Sequence, residues 1–175
     1  IDLTNMAGKP SGFVQLQFVN VDAEFRGVDV SAQAPLWSSE TFGKARLDAT
    51  FSALHGENRA TGAPLYRQMP LNGRVAVRHA KGPWTSAVEL ELVAEKDRAD
   101  LTRNERKTAA YQLLNVRTAY QWKTVTLSLA VENLANQSYD LPLGGVSLGD
   151  YGATGALRQT PGRGRSIDVG LTARF

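Results

Sequence analysis

Residues 44–54 read Lys-Ala-Arg-Leu-Asp-Ala-Thr-Phe-Ser-Ala-Leu, so that Ala45, Leu47, Ala49, Phe51 and Ala53 alternate with Arg46, Asp48, Thr50 and Ser52. A period of two is the signature of a β-strand with one apolar and one polar face. The same alternation returns in residues 84–95, where Val88, Leu90 and Leu92 oppose Ala87, Glu89 and Glu91. In residues 114–122 Leu114, Val116, Thr118, Tyr120 and Trp122 oppose Asn115, Arg117, Ala119 and Gln121. In residues 124–132 Val125, Leu127, Leu129 and Val131 oppose Thr124, Thr126, Ser128 and Glu132. The last segment, 166–175, sets Ile167, Val169, Leu171, Ala173 and Phe175 against Ser166, Asp168, Gly170, Thr172 and Arg174. Residues 72–80 form a weaker example around Val75 and Val77. The polar faces carry too many full charges to share a dry core, so the apolar faces point outward, toward lipid.

Between residues 13 and 34 the phase breaks. Val19, Val21, Ala23 and Phe25 share one parity, and Val28, Val30, Ala32 and Ala34 share the other. One long strand with a bulge at Arg26-Gly27 absorbs the shift, and a hairpin turning at residues 20–24 is the alternative.

Connections alternate in length. Residues 35–41, 81–83 and 123 are short links; residues 56–71, 96–110 and 134–165 are long. Membrane barrels have short periplasmic turns and long external loops, which puts Phe175 at the periplasmic side. Trp37, Trp84 and Trp122 all lie beside short links, with Phe42 and Phe175 at the same level, as an interfacial aromatic girdle requires. The fold class expected is therefore all-β, a transmembrane antiparallel up-and-down β-barrel, of which this chain supplies seven to eight strands. Seven strands leave the sheet open, its edges to be covered by upstream strands; eight could close as a small barrel.

Composition narrows the function classes. The chain has 175 residues, a net charge of +3 with dispersed cations, and no run near the ~20 apolar residues of a membrane helix. Nucleic acid is accordingly not an expected partner. No cysteine and two separated histidines leave no thiolate chemistry and little for a transition metal, so no cofactor is expected. No nucleophile-base pair or phosphate loop stands out, and an enzyme is the least supported class. A soluble ligand-binding barrel would need its apolar faces turned inward. The first residues, Ile-Asp-Leu-Thr-Asn, show no signal core, so any export signal is expected to have been removed or to lie upstream.

Several residues resemble the C-terminal region of TonB-dependent outer-membrane receptors. Asn20, Ala23, Gly27 and Asp29 are similar to the family's N…A…G-x-E strand, with Asp where Glu is usual. Met69-Pro70 with Arg74 resembles the approach to the next descending strand. Val131-Glu132-Asn133-Leu134, Asn136 and Tyr139 resemble V-x-N-L-x-N-x-x-Y, and Pro161-Gly162-Arg163 with terminal Phe175 resembles the P-G-R…F ending. The resemblance implies a barrel of about 22 strands with an N-terminal plug domain absent from this chain. Residues 1–175 would be the C-terminal part of that barrel.

It further implies a bacterial outer-membrane location and uptake of a scarce ligand, a ferric siderophore, haem or cobalamin, energised by a TonB complex acting on the missing N-terminal part. Partners would be outer-membrane lipid and lipopolysaccharide, the upstream strands and plug, and a small-molecule ligand. The last strand would carry the assembly signal, through Gly170, Ala173 and Phe175. The runner-up is a complete eight-stranded barrel with a structural or adhesin role.

Each motif also has a plainer reading. Asn133 and Asn136 suit turn capping before ligand contact. Arg163 and Arg165 are read first as part of a turn re-entering the barrel, and second as contacts for lipopolysaccharide phosphate or an anionic ligand. Residues 97–107 read as a solvated external loop with a faint capping box at Thr102 and Glu105. Residues 141–145 open the longest loop, as a ligand gate or as a lid with only a packing role. Glu89, Glu91 and Glu132, with Arg46, Asp48, Arg74, Arg78, Arg117 and Arg174, are expected to face the lumen as ion pairs or plug contacts.

Overall fold

The computed structural model describes residues 20–174. Seven strands, β1 (Ala23–Ser39), β2 (Gly43–Asn58), β3 (Asn72–Lys81), β4 (Trp84–Val93), β5 (Tyr111–Trp122), β6 (Val125–Glu132) and β7 (Ser166–Ala173), form one sheet in chain order. Every neighbouring pair is antiparallel. Among the described residues β1 and β7 do not pair with each other, so the sheet is an open wall with two edges. No described helix is long and apolar enough to cross a membrane.

Register sorts the side chains. The row Arg46, Arg78, Ala87, Arg117, Ala130, Asp168 lies on one face, and the row Leu47, Val77, Val88, Val116, Val131, Ile167 on the other. The apolar face is open: Val88, Leu127, Leu129, Ile167, Val169 and Leu171 are all exposed. Apart from Pro142 and two glycines, the buried apolar residues among those described are Ala45, Ala76, Val93, Ala99, Tyr111 and Leu113. Accessible surface is 12690 Å², against roughly 8,400 Å² for a compact soluble protein of this mass. The fold therefore does not bury its apolar surface against itself; lipid is the medium that this face requires.

The short links are tight for identifiable reasons. Gly82 (φ 54) with Pro83, and Lys123 (φ 53) with Thr124, form two-residue turns whose first residue has positive φ, as right-twisted hairpins favour. Between β1 and β2, Ser39 Oγ accepts from the backbone N–H of Thr41 and Phe42, and Gly43 closes the turn at φ 77.

The first strand differs from expectation. Its pairing with β2 runs unbroken through Arg26↔His55 and Gly27↔Leu54, so no bulge sits there, and Ala23 and Glu24 belong to the strand where a hairpin was the alternative. The register shift falls between Pro35 and Trp37, inside a segment read as a link. Proline has no N–H to give the ladder, and the extra residue, Leu36, turns Trp37 to the apolar face. The phase break near Phe25 has another cause. Phe25 lies on the polar face, where its ring meets the position that a side chain at Gly56 would occupy. Val28 and Ala53 are the last apolar pair on the lipid side; Arg26 and His55 follow, so β1 and β2 rise above the membrane, where strict alternation ends. Residues 13–19 of the expected strand, and Phe175, lie outside the described residues.

Candidate lumen wall and outer loops

The polar face carries a connected ion network. Glu89, whose side chain is 5% exposed, lies 3.5 Å from Arg74 and 3.4 Å from Arg117; Arg74 also reaches Glu91 at 3.6 Å and Arg117 reaches Glu132 at 3.1 Å. Asn115 Nδ2 donates to Glu89 at 3.3 Å. Lower on the wall Arg78 pairs with Asp48 at 2.6 Å, and Arg46 lies 3.3 Å from the same carboxylate. Cross-strand register creates these pairs: residues opposite one another point to the same side. Below them Ala80, Thr85, Ala119, Ser128 and Gly170 make a row of small side chains. They line part of a recess of about 950 Å³.

Asn133 and Asn136 adopt left-handed backbone conformations, φ 50 and 52. The Asn133 N–H donates to Asn115 Oδ1 at 2.9 Å, its Nδ2 donates to the carbonyls of Gln137 (2.9 Å) and Arg163 (3.2 Å), and its Oδ1 accepts from the N–H of Gln137 at 2.8 Å. Asn136 Oδ1 accepts from the N–H of Arg165 at 3.0 Å. The Tyr139 ring fills the space that a Cβ on Gly162 would need and packs on Tyr111 with centroids 4.4 Å apart. Tyr139 thus joins the start of β5 to the turn before β7. Burial first, and then the Glu91 charge, push the Tyr139 phenol above its ordinary value, while a hydrogen bond to the Arg163 backbone works the other way.

Other sequence-selected residues are placed as follows. Trp37, Phe42, Trp84 and Trp122 are exposed at the short-turn end, with Trp84 packed on Tyr120 at 4.8 Å. Asp29 accepts a hydrogen bond from Ser52, a Cβ at Gly27 would lie 3.0 Å from the Ala53 carbonyl oxygen, and Asn20 precedes β1. Gly170 pairs with Ser128, whose Oγ donates to its carbonyl at 3.3 Å, and Ala173 pairs with Val125. Arg163 and Arg165 are exposed, and neither forms an ion pair among the described residues.

The outer loops hold what the sequence did not reveal. Lys96 and Glu105, with side chains 2% and 7% exposed, pair at 2.6 Å. Lys96 Nζ also donates to the Pro142 carbonyl at 2.9 Å, and Glu105 accepts from the N–H groups of Arg67 (2.9 Å) and Asp100 (2.8 Å). One buried pair therefore ties all three long loops together. The capping box at Thr102 and Glu105 is not formed. Asp100 caps the short helical turn Leu101–Arg103 through Thr102 N–H, because Glu105 is held by Lys96. The longest loop contains α1 (Leu148–Thr154), capped by Ser147 and ended at Gly155, φ 70. No group of three His, Cys, Asp or Glu able to hold a metal occurs among the described residues.

Comparison with known proteins gives two positive findings. The family model described as TonB dependent receptor-like, beta-barrel matches residues 1–134. The solved structure titled Copper transporter OprC superposes with a TM-score of 0.79 at 24% identity over 89% of this chain. This chain spans 25% of that structure's length, and at this identity the likeness shows the fold alone. No curated protein matches. With the family model covering well over half of the sequence, the chain belongs to the TonB-dependent receptor β-barrel family, proteins of the bacterial outer membrane.

Proposed function

We propose that this chain forms the C-terminal wall and outer loops of a receptor that takes up a scarce ligand of the ferric siderophore, haem or cobalamin type under TonB drive, with the anionic members of that set favoured. The observation that carries this reading is the charge distribution. Residues 59–71, 94–110 and 133–165 hold ten Lys and Arg against six Asp and Glu, so the outer loops carry the chain's whole positive balance. A funnel of that sign concentrates anions before they bind. Upstream strands would cover the free edges of β1 and β7, and a plug would occupy the ion-paired face. Gly170, Ala173 and Phe175 would serve barrel assembly, and Trp37, Phe42, Trp84 and Trp122 would sit at the inner interface.

A second reading takes its ligand, copper, from the structural likeness. Soft Cys or Met donors select Cu(I); this chain has no Cys, and Met69 is the one described Met. Metal ligands for a bare ion would have to come from elsewhere in the receptor.

The test is receptor-dependent growth. A receptor-deletion strain starved of iron should lose growth on one class of ferric chelate, and the loss should be matched by deleting TonB. A deletion strain that grows normally on every ferric chelate, haem and cobalamin but fails when copper is limiting would replace the first reading with the second.

A further inference from the structure

Tyr66, Arg67, Arg103 and Arg106 line a cleft between the loops that follow β2 and β4, closed on its third side by Pro142, Leu143 and Gln159; Glu105 also lines it, its charge matched by buried Lys96 and its oxygens taken by the Arg67 and Asp100 N–H groups. The Arg67 and Arg103 guanidinium groups lie 5.6 and 5.4 Å from the centre of the one Tyr66 ring. Ring contacts of this kind hold a guanidinium in place with its N–H edge still free to donate. Arg103 has one weak partner, Asp100 at 3.7 Å, and Arg67 and Arg106 have no carboxylate partner among the described residues.

The platform beneath is rigid. Glu105 accepts from the Arg67 N–H and from the Asp100 N–H, and Asp100 caps the turn that bears Arg103. The buried Lys96–Glu105 pair thus positions both arginines. Three cations gathered on fixed backbone repel one another, and an anion between them relieves that repulsion. Gln159 adds an independent sign. Its Nε2 donates to the Leu141 carbonyl at 2.5 Å, whereas its Oε1 is buried without a donor. A group that accepts from arginine and donates one O–H fits both needs. With a volume of about 40 Å³ the cleft admits one small group and not a whole chelate.

We infer that Tyr66, Arg67, Arg103 and Arg106, with Gln159, form an oxyanion subsite for a phosphoryl or hydroxy-carboxylate group. The inference deepens the uptake reading and rests on it only in taking these loops as the outer surface. The group belongs either to a free ligand or to a lipopolysaccharide headgroup, which share this chemistry.

The experiment uses the full-length receptor in detergent, titrated calorimetrically with inorganic pyrophosphate at low ionic strength, and in a second arm with phosphorylated or dephosphorylated lipopolysaccharide. Arg67→Gln/Arg103→Gln should weaken binding at least tenfold, and Lys107→Gln, which removes a cation of the same loop outside the cleft lining, should stay within about twofold of wild type. Heat-modifiable gel mobility checks that the variants still fold, since Lys96 and Glu105 are untouched. Loss confined to pyrophosphate assigns the site to a free ligand; loss confined to phosphorylated lipopolysaccharide assigns it to the headgroup; both outcomes support the subsite. Wild-type protein that binds neither probe, or a double variant that binds both normally, overturns it. Chelate-dependent growth of the same double variant is a separate readout: intact growth with unchanged titration sinks the subsite alone, and absent growth in wild type with a positive titration sinks the uptake reading alone.

Discussion

At the rim the Asn133 side-chain amide ties Gln137, in the loop after β6, to Arg163 in the turn before β7, while its backbone N–H donates to Asn115 of β5. Removing a buried polar group with several partners leaves those partners unsatisfied, at about 1–3 kcal/mol. Asn133→Ala should therefore lower the urea midpoint of the refolded receptor by an amount of that order, and an unchanged midpoint would show that water replaces the amide at no loss. Lys96 and Glu105 make a sharper case. Breaking a buried pair by removing one partner costs about 3–5 kcal/mol, whereas replacing both with apolar residues is often close to neutral. Lys96→Met alone should loosen all three outer loops, read as faster proteolysis there, and Lys96→Met/Glu105→Gln, which removes both charges but keeps an acceptor for the Arg67 and Asp100 N–H groups, should recover part of the protection. Tyr139 gives a pH effect whose sign is fixed by its raised phenol. A group whose folded value lies above its unfolded one adds stability below about pH 10 and loses it as pH climbs through the folded value. Alkaline unfolding should begin earlier in wild type than in Tyr139→Phe, measured against each protein's own stability at pH 8.

At the scale of elements, alternation made six of the strands readable, because lipid on one side and charge on the other impose a period of two with little exception. Where that constraint ends, the reading failed. Phe25 broke the pattern since β1 has already left the membrane there, and the true bulge was hidden because Pro35 reads as a turn residue as readily as an edge residue. The Lys96–Glu105 pair was invisible for a different reason: the partners stand nine positions apart in a loop, and no periodicity marks a charge that will be buried. The turn at Gly43 is a place where the backbone itself sets the requirement. A Cβ there would lie 2.3 Å from the Ala80 carbonyl, and φ is 77. Gly43→Ala should cost on the order of 1–3 kcal/mol in the strained conformation, seen as a reduced yield of heat-resistant receptor; wild-type yield and midpoint would show that β2 and β3 shift apart freely.

For the molecule as a whole, an apolar outer face, an ion-paired inner face and bound outer loops make one consistent wall. The assembly role proposed for Gly170, Ala173 and Phe175 predicts that deletion of Phe175 reduces outer-membrane levels more than the ligand affinity of the receptor that does insert. Which face meets lipid is the claim on which everything else depends, and the absence of native cysteine in this chain makes it directly measurable. Single cysteines placed in the full-length receptor at Val88, Leu129 and Val169, and at Ala87, Ser128 and Asp168, can be labelled with an environment-sensitive fluorophore and exposed to a lipid-borne quencher. The first three should be quenched and the second three spared. Equal quenching of both sets, or the reverse order, would contradict the account.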